Sequence, residues 1–433
     1  MKGASFARGL SAVGAFTVCT AAPALAQTGA RIDAADTAWM MVATALVLMM
    51  SIPGLALFYA GMVRKKNVLA TMAQTLAAVA LCSVLWATIG YSLTFSGDGA
   101  AIGTLDRLLL AGMTPNAISP FAKTIPEALF MIYQMTFAVI TVALVAGSVA
   151  DRMRFSAFMW FAALWLIVVY VPIAHWVWGG GFLARAGVLD FAGGTVVHLN
   201  AGIAGLVAAY LIGKRHGYGS ENFAPYDLSL AVIGTGMLWV GWFGFNGGSA
   251  LAADSRAVFA IVATHLAAST GALTWMALEW WKRGKPSVLG MISGAVAGLG
   301  TITPASGFVL PWHGIVIGLL AGLICFWSCT WLKLACGYDD SLDVFGVHGV
   351  GGATGMLLVG VFATPAVGGA AGLLAGNGGQ VLIQLYGIVV TFAWSGIATV
   401  VLLKAVSAIV PLRVDKQSEI EGLDVTQHGE ALQ

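Results

Sequence analysis

Long apolar segments alternate with short polar segments along almost the whole chain. Each apolar segment is about as long as a helix that crosses the hydrocarbon core of a bilayer, which takes roughly 20 residues. Glycine-rich stretches at residues 178–181 and 302–308 predict breaks or turns between helices. The pattern predicts eleven spans, near residues 36–62, 68–95, 124–149, 156–180, 192–213, 226–250, 257–281, 287–303, 311–335, 344–364 and 378–410. The predicted fold is therefore an all-α integral membrane protein with eleven transmembrane helices.

Two of these spans carry the same arrangement of ionisable residues. Asp190 lies eight residues before His198, and Asp340 lies eight residues before His348. In both stretches valine precedes the histidine, and glycines follow it after four and seven residues. Spans one and six also share a spacing, in Gly54, Phe58 and Gly61 against Gly241, Phe245 and Gly248. These matches predict an inverted repeat of spans 1–5 and 6–10 plus an extra C-terminal span, with both histidines at the midplane.

Composition places the chain in lipid. Of its 433 residues, 59% are hydrophobic and 9% are charged, and the mean hydropathy is +0.88. About a quarter of the residues in a soluble domain are charged. A net charge of +2, spread over short basic clusters, gives no reason to expect a nucleic-acid partner. The cysteine and histidine spacings match no metal site, so no cofactor is expected.

The first 26 residues have the pattern of a secretory signal peptide. Lys2 and Arg8 precede an apolar run at residues 9–22, and small residues follow at positions 24 and 26. This order predicts cleavage after Ala26 and a mature N-terminus outside the cell. The alternative is a short buried helix. A bacterial inner membrane is the expected setting.

Basic residues predict the orientation of the spans. Every second loop is rich in lysine and arginine, whereas the loops between them carry few. The basic set comprises Arg64, Lys65, Lys66, Arg152, Arg154, Lys214, Arg215, Lys282, Arg283, Lys285 and Lys333. Because basic loops stay cytoplasmic, the N-terminus is predicted outside and the tail from Pro411 inside.

His198 and His348 are the first candidates for chemistry. A neutral imidazole offers one hydrogen-bond donor and one acceptor and can relay a proton. Either ring could instead satisfy a buried carbonyl and bridge two helices, but matched positions in two repeats favour a pore role. Asp190 could bind a cation directly or accept backbone N–H groups at the glycine-rich break, and the second role is favoured.

Aromatic residues near the predicted outer ends form a second candidate site. Phe137, Trp178, Trp242 and Phe245 lie in or beside glycine-containing helices, and aromatic faces attract cations. Ser249 lies one helical turn after Phe245, where its hydroxyl can accept a hydrogen bond. Aromatic residues in spans more often form interfacial belts or pack, so composition alone favours that reading.

Several longer stretches resemble the ammonium transporter (Amt/Mep/Rh) family, and its bacterial Amt branch in particular. They include Ile-Pro-Gly-Leu-Ala-Leu-Phe-Tyr at residues 52–59 and Gly-Trp-Phe-Gly-Phe-Asn at 241–246. The two histidine stretches, at 190–198 and 343–350, agree as well. So do Glu-Gly-Leu-Asp-Val at 421–425 and His-Gly-Glu at 428–430 in the tail, so the resemblance covers the chain after the signal peptide.

The resemblance implies a homotrimer with one pore per subunit, a transmembrane domain at 27–410 and a cytoplasmic regulatory tail at 411–433 that contacts a PII-type signal protein. It implies an outer recruitment site, a gate beneath it, a twin-histidine pore and supporting residues. These are Phe137, Trp178 and Ser249 for recruitment; Phe137 and Phe245, with Tyr133 above them, for the gate; His198 and His348 for the pore; and Asp190, Trp242 and Thr303 for support. Tyr133 stands where the family often has phenylalanine, which leaves its role in gating open.

The expected function is therefore ammonium uptake and not enzymatic catalysis. Ammonium would be recruited outside, lose a proton near the gate and pass the histidines as ammonia. Separate proton transfer and methylammonium acceptance stay open. The alternatives are an ammonium sensor, a neutral-gas channel of Rh type for ammonia or carbon dioxide, and a membrane enzyme, for which no nucleophile–base pattern is present.

Overall fold

A computed structural model describes residues 30–432, so the predicted signal peptide at 1–26 lies outside the described residues. Within them, ten helices are long and apolar enough to cross a membrane, and a shorter apolar helix, Val288–Ile302, occupies the predicted eighth span. In chain order, α1–α11 are Ala34–Met62, Lys65–Phe95, Glu127–Val149, Phe155–Arg185, Gly194–Ile212, Leu228–Gly247, Ser255–Arg283, Val288–Ile302, His313–Cys336, Phe345–Phe362 and Gly379–Ser407. The architecture is a multi-pass helical membrane protein, consistent with the eleven predicted spans.

Both predicted breaks are present. Helix α4 is interrupted after Trp178, where Gly180 has a φ of +81°, and α8 ends at Ile302 before a run of turns. Glycine adopts this left-handed backbone without steric cost, which allows the chain to turn sharply there.

Wide π-helical turns recur in paired helices of the two halves. They lie at Met50–Leu55 and Phe243–Gly247 in α1 and α6, at Leu166–Tyr170 and Ser328–Leu332 in α4 and α9, and at Gly194–Leu199 and Phe345–Gly349 in α5 and α10. Such turns are uncommon and often mark functional positions. Three matched pairs agree with the predicted inverted repeat.

Glycines let α5 and α10 cross closely at the centre of the molecule. A Cβ at Gly202 would lie 2.2 Å from the Cα of Gly349, and one at Gly352 would lie 2.9 Å from the Cβ of His198. Gly202 and Gly352 are the glycines four residues after each histidine. Small residues allow such close helix contacts in membranes, so the repeated glycines bring the two histidines together.

The basic loops gather at one end of the molecule, called here the basic end. Asp151 accepts from Arg64 at 3.1 Å and lies 3.4 Å from Arg215, which also binds Asp339 at 2.7 Å. Burial alone would raise the pKa of Asp339, but hydrogen bonds and charge from Arg215 lower it below its usual value. Arg152 is buried beside them, and desolvation lowers its pKa to about 10.

The tail folds onto this end. Its composition allows a disordered end, but residues Lys416–Glu421 and Leu423–His428 form helices α12 and α13. Asp424 accepts from the backbone N–H groups of Leu69 and Ala70 at 3.1 and 2.7 Å, which caps the start of α2. Glu419 binds Arg413 at 2.7 Å and the backbone N–H of His216 at 2.6 Å. The tail therefore contacts two of the basic loops.

Replacing Asp339 with asparagine should destabilise the protein by about 3–5 kcal/mol, because it leaves the buried guanidinium of Arg215 without its closest partner. The depressed pKa of Asp339 means that its contribution is present above the unfolded-state pKa, near 4, and is lost as pH falls below it. Thermal unfolding in detergent, followed by tryptophan fluorescence from pH 3 to 8, measures both effects. The exposed Asp98→Asn change is the control, expected within about 0.5 kcal/mol of native. An equal midpoint for Asp339→Asn and the native protein at pH 7 would contradict this account.

Candidate functional site

Three cavities follow one another through the molecule, and the central one is narrow. The distal cavity, at the end opposite the basic loops, has a volume of about 230 Å³. The central lumen has only about 10 Å³, and the basal cavity, at the basic end, has about 260 Å³. The lumen and the basal cavity share Phe58, Val296 and His348 in their walls. Two wide cavities are thus joined by a constriction.

The distal cavity brings together the three residues expected to recruit a cation. Phe137, Trp178 and Ser249 all line it. The rings of Phe137 and Trp178 meet edge to face, with centroids 5.5 Å apart and planes at 83°. The indole N–H of Trp178 donates to the carbonyl of Asp190 at 2.9 Å, which fixes the ring at the break in α4. The hydroxyl of Ser249 donates to the carbonyl of Phe245 at 2.8 Å, so its oxygen remains able to accept.

Two phenylalanines separate the distal cavity from the lumen. Phe137 lines the distal cavity and Phe245 lines the lumen, and their ring centroids are 4.3 Å apart. The rings are only 1% and 0% exposed. Close-packed rings with so little accessible surface must move before a molecule can pass between them.

Tyr133 lies behind this gate, outside the residues that line the cavities. Its hydroxyl is 2.9 Å from the carbonyl oxygen of Gly244, 3.0 Å from that of Phe245 and 3.4 Å from the hydroxyl of Ser249. The π-helical turn in α6 makes the Phe245 carbonyl available, because the N–H of Ser249 donates to Asn246 instead. The tyrosine hydroxyl therefore ties the gate-bearing turn of α6 to α3.

His198 and His348 meet in the lumen. Their Nδ1 atoms are 3.2 Å apart, and their rings are nearly parallel, with planes at 13°. A hydrogen bond between two ring nitrogens requires one to donate and the other to accept. When both rings are neutral, one therefore keeps a bare Nε2 and the other a protonated Nε2. The pair offers one acceptor and one donor at its outer nitrogens.

Trp242 and Thr303 support the pair from behind. The ring of His198 stacks on that of Trp242 at 18°, with centroids 5.6 Å apart. The indole N–H of Trp242 donates to the hydroxyl of Thr303 at 2.9 Å, and this hydroxyl donates to the carbonyl of Leu299 at 2.8 Å. Thr303 is buried against Trp242 and lies in no wall of the three cavities.

The carboxylate of Asp190 accepts hydrogen bonds from the backbone at the start of α5. It accepts from the N–H groups of Gly193, Gly194 and Thr195 at 2.6–2.8 Å, and also from the Thr195 hydroxyl. Asp340, its counterpart in the second repeat, accepts from the N–H of Phe345 at 2.7 Å at the start of α10. Each aspartate therefore caps the helix that carries a histidine. Asp190 lines none of the three cavities.

Sequence reasoning missed two residues in the walls. Gln134 lines the distal cavity, and its position three residues before Phe137 on α3 would have placed it on the same helix face. Phe58 lines both the lumen and the basal cavity, and it is the repeat counterpart of Phe245. The spacing shared by spans one and six singled out Phe58, but it did not predict that Phe58 lines a cavity. In residues 30–432, no group of His, Cys, Asp and Glu side chains could hold a metal ion.

Comparison with known proteins gives consistent matches over nearly the whole chain. The model of the Ammonium Transporter Family matches residues 38–432. The chain is 48% identical to an ammonium transporter of Aquifex aeolicus over 402 residues, which cover 93% of this chain and 94% of that protein. The crystal structure of Saccharomyces cerevisiae Mep2 superposes with a TM-score of 0.83 at 39% identity and covers 89% and 88% of the two chains. A structure described as a sensor Amt protein also matches, with a TM-score of 0.83 at 28% identity, over 91% and 98%.

Replacing Tyr133 with phenylalanine should lower the stability of the protein by about 1 kcal/mol, because the carbonyls of the π-helical turn then lose a buried hydroxyl donor. The matched control is Tyr170→Phe. The Tyr170 hydroxyl is also buried but has no hydrogen-bond partner within residues 30–432, so its loss should be neutral or slightly stabilising. Thermal unfolding midpoints in detergent measure the difference. Equal effects of the two changes would show that the Tyr133 hydroxyl does not hold the turn.

Proposed function

The chain belongs to the ammonium transporter family, and on this premise we propose that it takes up ammonium across a bacterial inner membrane. Ammonium enters the distal cavity, loses a proton near the Phe137–Phe245 gate and crosses the lumen as ammonia. The observation that carries this proposal is the meeting of His198 and His348, at 3.2 Å, in a lumen of about 10 Å³ between two larger cavities. The relatives are transporters rather than enzymes, which agrees with a transport role.

The composition of the distal cavity supports recruitment of a cation. Aromatic faces such as those of Phe137 and Trp178 attract a cation with about 0.5–2 kcal/mol, and more as water is removed. Ser249 adds an oxygen that can accept a hydrogen bond. Ammonium donates four hydrogen bonds in tetrahedral directions, whereas potassium, with the same charge and a similar size, donates none. Directed acceptors therefore favour ammonium where size alone cannot.

The narrow lumen supports the loss of a proton before passage. Below the gate its walls are apolar apart from the two histidines and the Trp242 ring, and they include Met50, Leu144 and Leu238. An intact cation in such surroundings would cost several kcal/mol or more. Ammonium can avoid this cost by releasing a proton, and potassium cannot. The constriction therefore selects a second time, by chemistry rather than by size.

The histidine pair gives ammonia polar contacts along the lumen. Ammonia donates and accepts hydrogen bonds, and the pair offers an acceptor and a donor at its two Nε2 atoms. The Nε2 of His198 has no hydrogen-bond partner within the described residues, which leaves it available to the lumen. The shared Nδ1 proton also provides a route by which a proton could move separately, which would make net transport electrogenic.

Three further residues act as supports in this proposal. Asp190 holds the start of α5 and, through its carbonyl, the ring of Trp178. Trp242 and Thr303 hold the plane of His198. Asp190 and Thr303 lie outside the walls of the three cavities, whereas the ring of Trp242 also lines the lumen. Tyr133 belongs with the gate because its hydroxyl fixes the turn that carries Phe245.

The setting proposed with this function is a homotrimer with the distal cavity outside and the basic end in the cytoplasm. The basic loops support this orientation by the positive-inside rule. The tail, at 411–433, would be regulatory, and its helices pack against two of those loops. A PII-type signal protein is the proposed partner at this surface. The signal peptide at 1–26 would leave the mature N-terminus outside.

A second candidate is ammonium sensing with little transport. A solved relative is described as a sensor Amt protein. The docked tail favours this candidate as well, since a ligand-dependent change in the loops at residues 64–67 and 213–216 would reach α12 and α13 through direct contacts. Flux measurement separates the two roles, because a sensor binds ammonium without carrying it at a comparable rate.

Replacing both His198 and His348 with leucine should remove selective ammonium transport, since the lumen then has no polar contact for ammonia and no route for a proton. The measurement is the current from proteoliposomes after an ammonium pulse, with internal pH followed at the same time and potassium as the reference ion. We expect the native protein to give a current or a rise in internal pH with ammonium and neither signal with potassium. The double variant should lose at least about tenfold in flux or lose its preference for ammonium over potassium.

The control is His265→Leu, which makes the same change on an exposed face of α7. It should keep native flux and selectivity. Unchanged flux and selectivity in the folded double variant would refute the histidine mechanism. A native protein that gives neither signal would favour sensing over transport.

A further inference from the structure

Two glutamines on α11 hold the segment that joins α4 to α5, at residues 186–193. Gln384 is fully buried. The N–H of Leu189 donates to its Oε1 at 2.8 Å, and its Nε2 donates to the carbonyl of Leu189 at 2.6 Å. Gln380, one turn earlier, donates to the carbonyl of Gly187 at 2.9 Å and to Oε1 of Gln384 at 3.1 Å. The two amides thus supply the partners that irregular backbone needs inside a membrane protein.

The fit between α11 and this segment is close. Gly387 lies three residues after Gln384, on the same face of α11. A Cβ at Gly387 would lie 3.1 Å from a side-chain carbon of Val188. Gln380, Gln384 and Gly387 therefore form one strip along α11 that contacts residues 187–189, and this strip fixes the position of the segment relative to the helix.

The same segment carries two parts of the proposed transport path. Leu189 is followed by Asp190, whose carbonyl accepts the indole N–H of Trp178 at 2.9 Å. The carboxylate of Asp190 accepts from backbone N–H groups at the start of α5. The carbonyl that Gln384 holds and the carbonyl that Trp178 holds belong to adjacent residues. A shift of Leu189 would therefore move the group that fixes the Trp178 ring.

The corresponding carbonyl in the second repeat is held as well. Asp339 precedes Asp340 as Leu189 precedes Asp190, and the carbonyl of Asp339 accepts from the guanidinium of Arg152. A cation thus holds the segment at the basic end, whereas a neutral amide of α11 holds the segment beside the distal cavity. The amide does this without adding a positive charge, which would repel a cation entering that cavity.

We propose that Gln384 is a positioning residue for the recruitment site: through Leu189 and Asp190, it sets the position of the Trp178 ring in the wall of the distal cavity. This inference rests on the proposed function. It gives α11, which lies outside the inverted repeat, a part in recruitment, although none of the described residues of α11 lines that cavity. A cation is attracted to an aromatic face only at short range, so a displaced ring binds ammonium less tightly.

The test is Gln384→Met, which keeps the length of the side chain and removes both hydrogen bonds to Leu189. In proteoliposomes, the apparent KM for ammonium should rise about fivefold with little change in maximal flux, because capture is weakened and passage through the lumen is not. The control on the same helix is Thr399→Val, where a buried hydroxyl accepts the indole N–H of Trp165 at 3.0 Å. Both changes should lower the thermal unfolding midpoint, since each leaves buried groups unpaired. Only Gln384→Met should change the KM.

Gln384→Glu provides a milder change at the same place. Its carboxyl keeps an oxygen for the N–H of Leu189 but lacks the amide N–H that holds the carbonyl. The KM should lie between the values of the native protein and of Gln384→Met. This variant carries the test if the methionine variant does not fold.

A double variant separates positioning of Trp178 from a general loosening of the protein. Trp178→Phe removes the indole N–H that joins the ring to Asp190 and should itself raise the KM. Adding Gln384→Met to Trp178→Phe should then change the KM by less than about twofold, because the connection from Gln384 to the ring is already lost. A further rise as large as the one Gln384→Met causes alone would show that Gln384 acts by another route, and it would overturn the proposal.

Ligand-induced stabilisation provides a reading that does not depend on flux. Ammonium chloride should raise the unfolding midpoint of the native protein more than potassium chloride does, and Gln384→Met should need about fivefold more ammonium for the same rise. A native KM and a native ammonium dependence in the folded Gln384 variants would overturn the positioning role and leave the proposed function intact. Absence of both transport and ammonium-dependent stabilisation in the native protein would overturn the inference together with the proposed function.

Discussion

The hydrogen bond between Nδ1 of His198 and Nδ1 of His348 is the contact on which the rest of the structure depends. It forms only if two helices from different repeats cross at the closest separation that backbones permit. Gly202 and Gly352 allow that crossing, because a Cβ at either position would overlap the opposite helix. The bond also fixes the chemistry of the lumen, since one shared proton leaves one donor and one acceptor on the outer nitrogens. One contact thus requires the close crossing of α5 and α10 and also sets the donor and the acceptor that face the lumen.

A second constraint is the satisfaction of backbone groups in lipid. Hydrocarbon offers no hydrogen bonds, so irregular backbone in a span must find partners inside the protein. Asp190 supplies them at the start of α5, and the hydroxyls of Tyr133 and Ser249 supply them at the π-helical turn of α6. Other polar atoms in the spans have no partner within the described residues, and one of them, Nε2 of His198, belongs to a residue in the wall of the lumen.

The basic end has a different organisation, because ion pairs hold it together. Asp151 lies between Arg64 and Arg215 and so joins the loops that follow α1, α3 and α5. The tail adds Glu419 and Asp424 to the same surface. A change in any of these loops therefore alters contacts of the tail directly. This surface is separated from the distal cavity by the whole length of the spans, so the sites proposed for recruitment and for regulation lie at opposite ends.

The sequence by itself determined the membrane class, the positions of the spans and the repeat, because apolar length and residue spacing are local properties. It also selected residues that the structure brings together, since Phe137, Trp178 and Ser249 line the distal cavity and Phe137 contacts Phe245. Tertiary structure alone decided what each polar group contacts. It placed the Asp190 carboxylate on backbone N–H groups and Thr303 behind Trp242. It also decided that the tail is ordered, because the backbone N–H groups that bind Asp424 and Glu419 lie more than 200 residues away in sequence. Hydrogen-bond partners across helices depend on how the helices pack, and spacing within one helix cannot specify that.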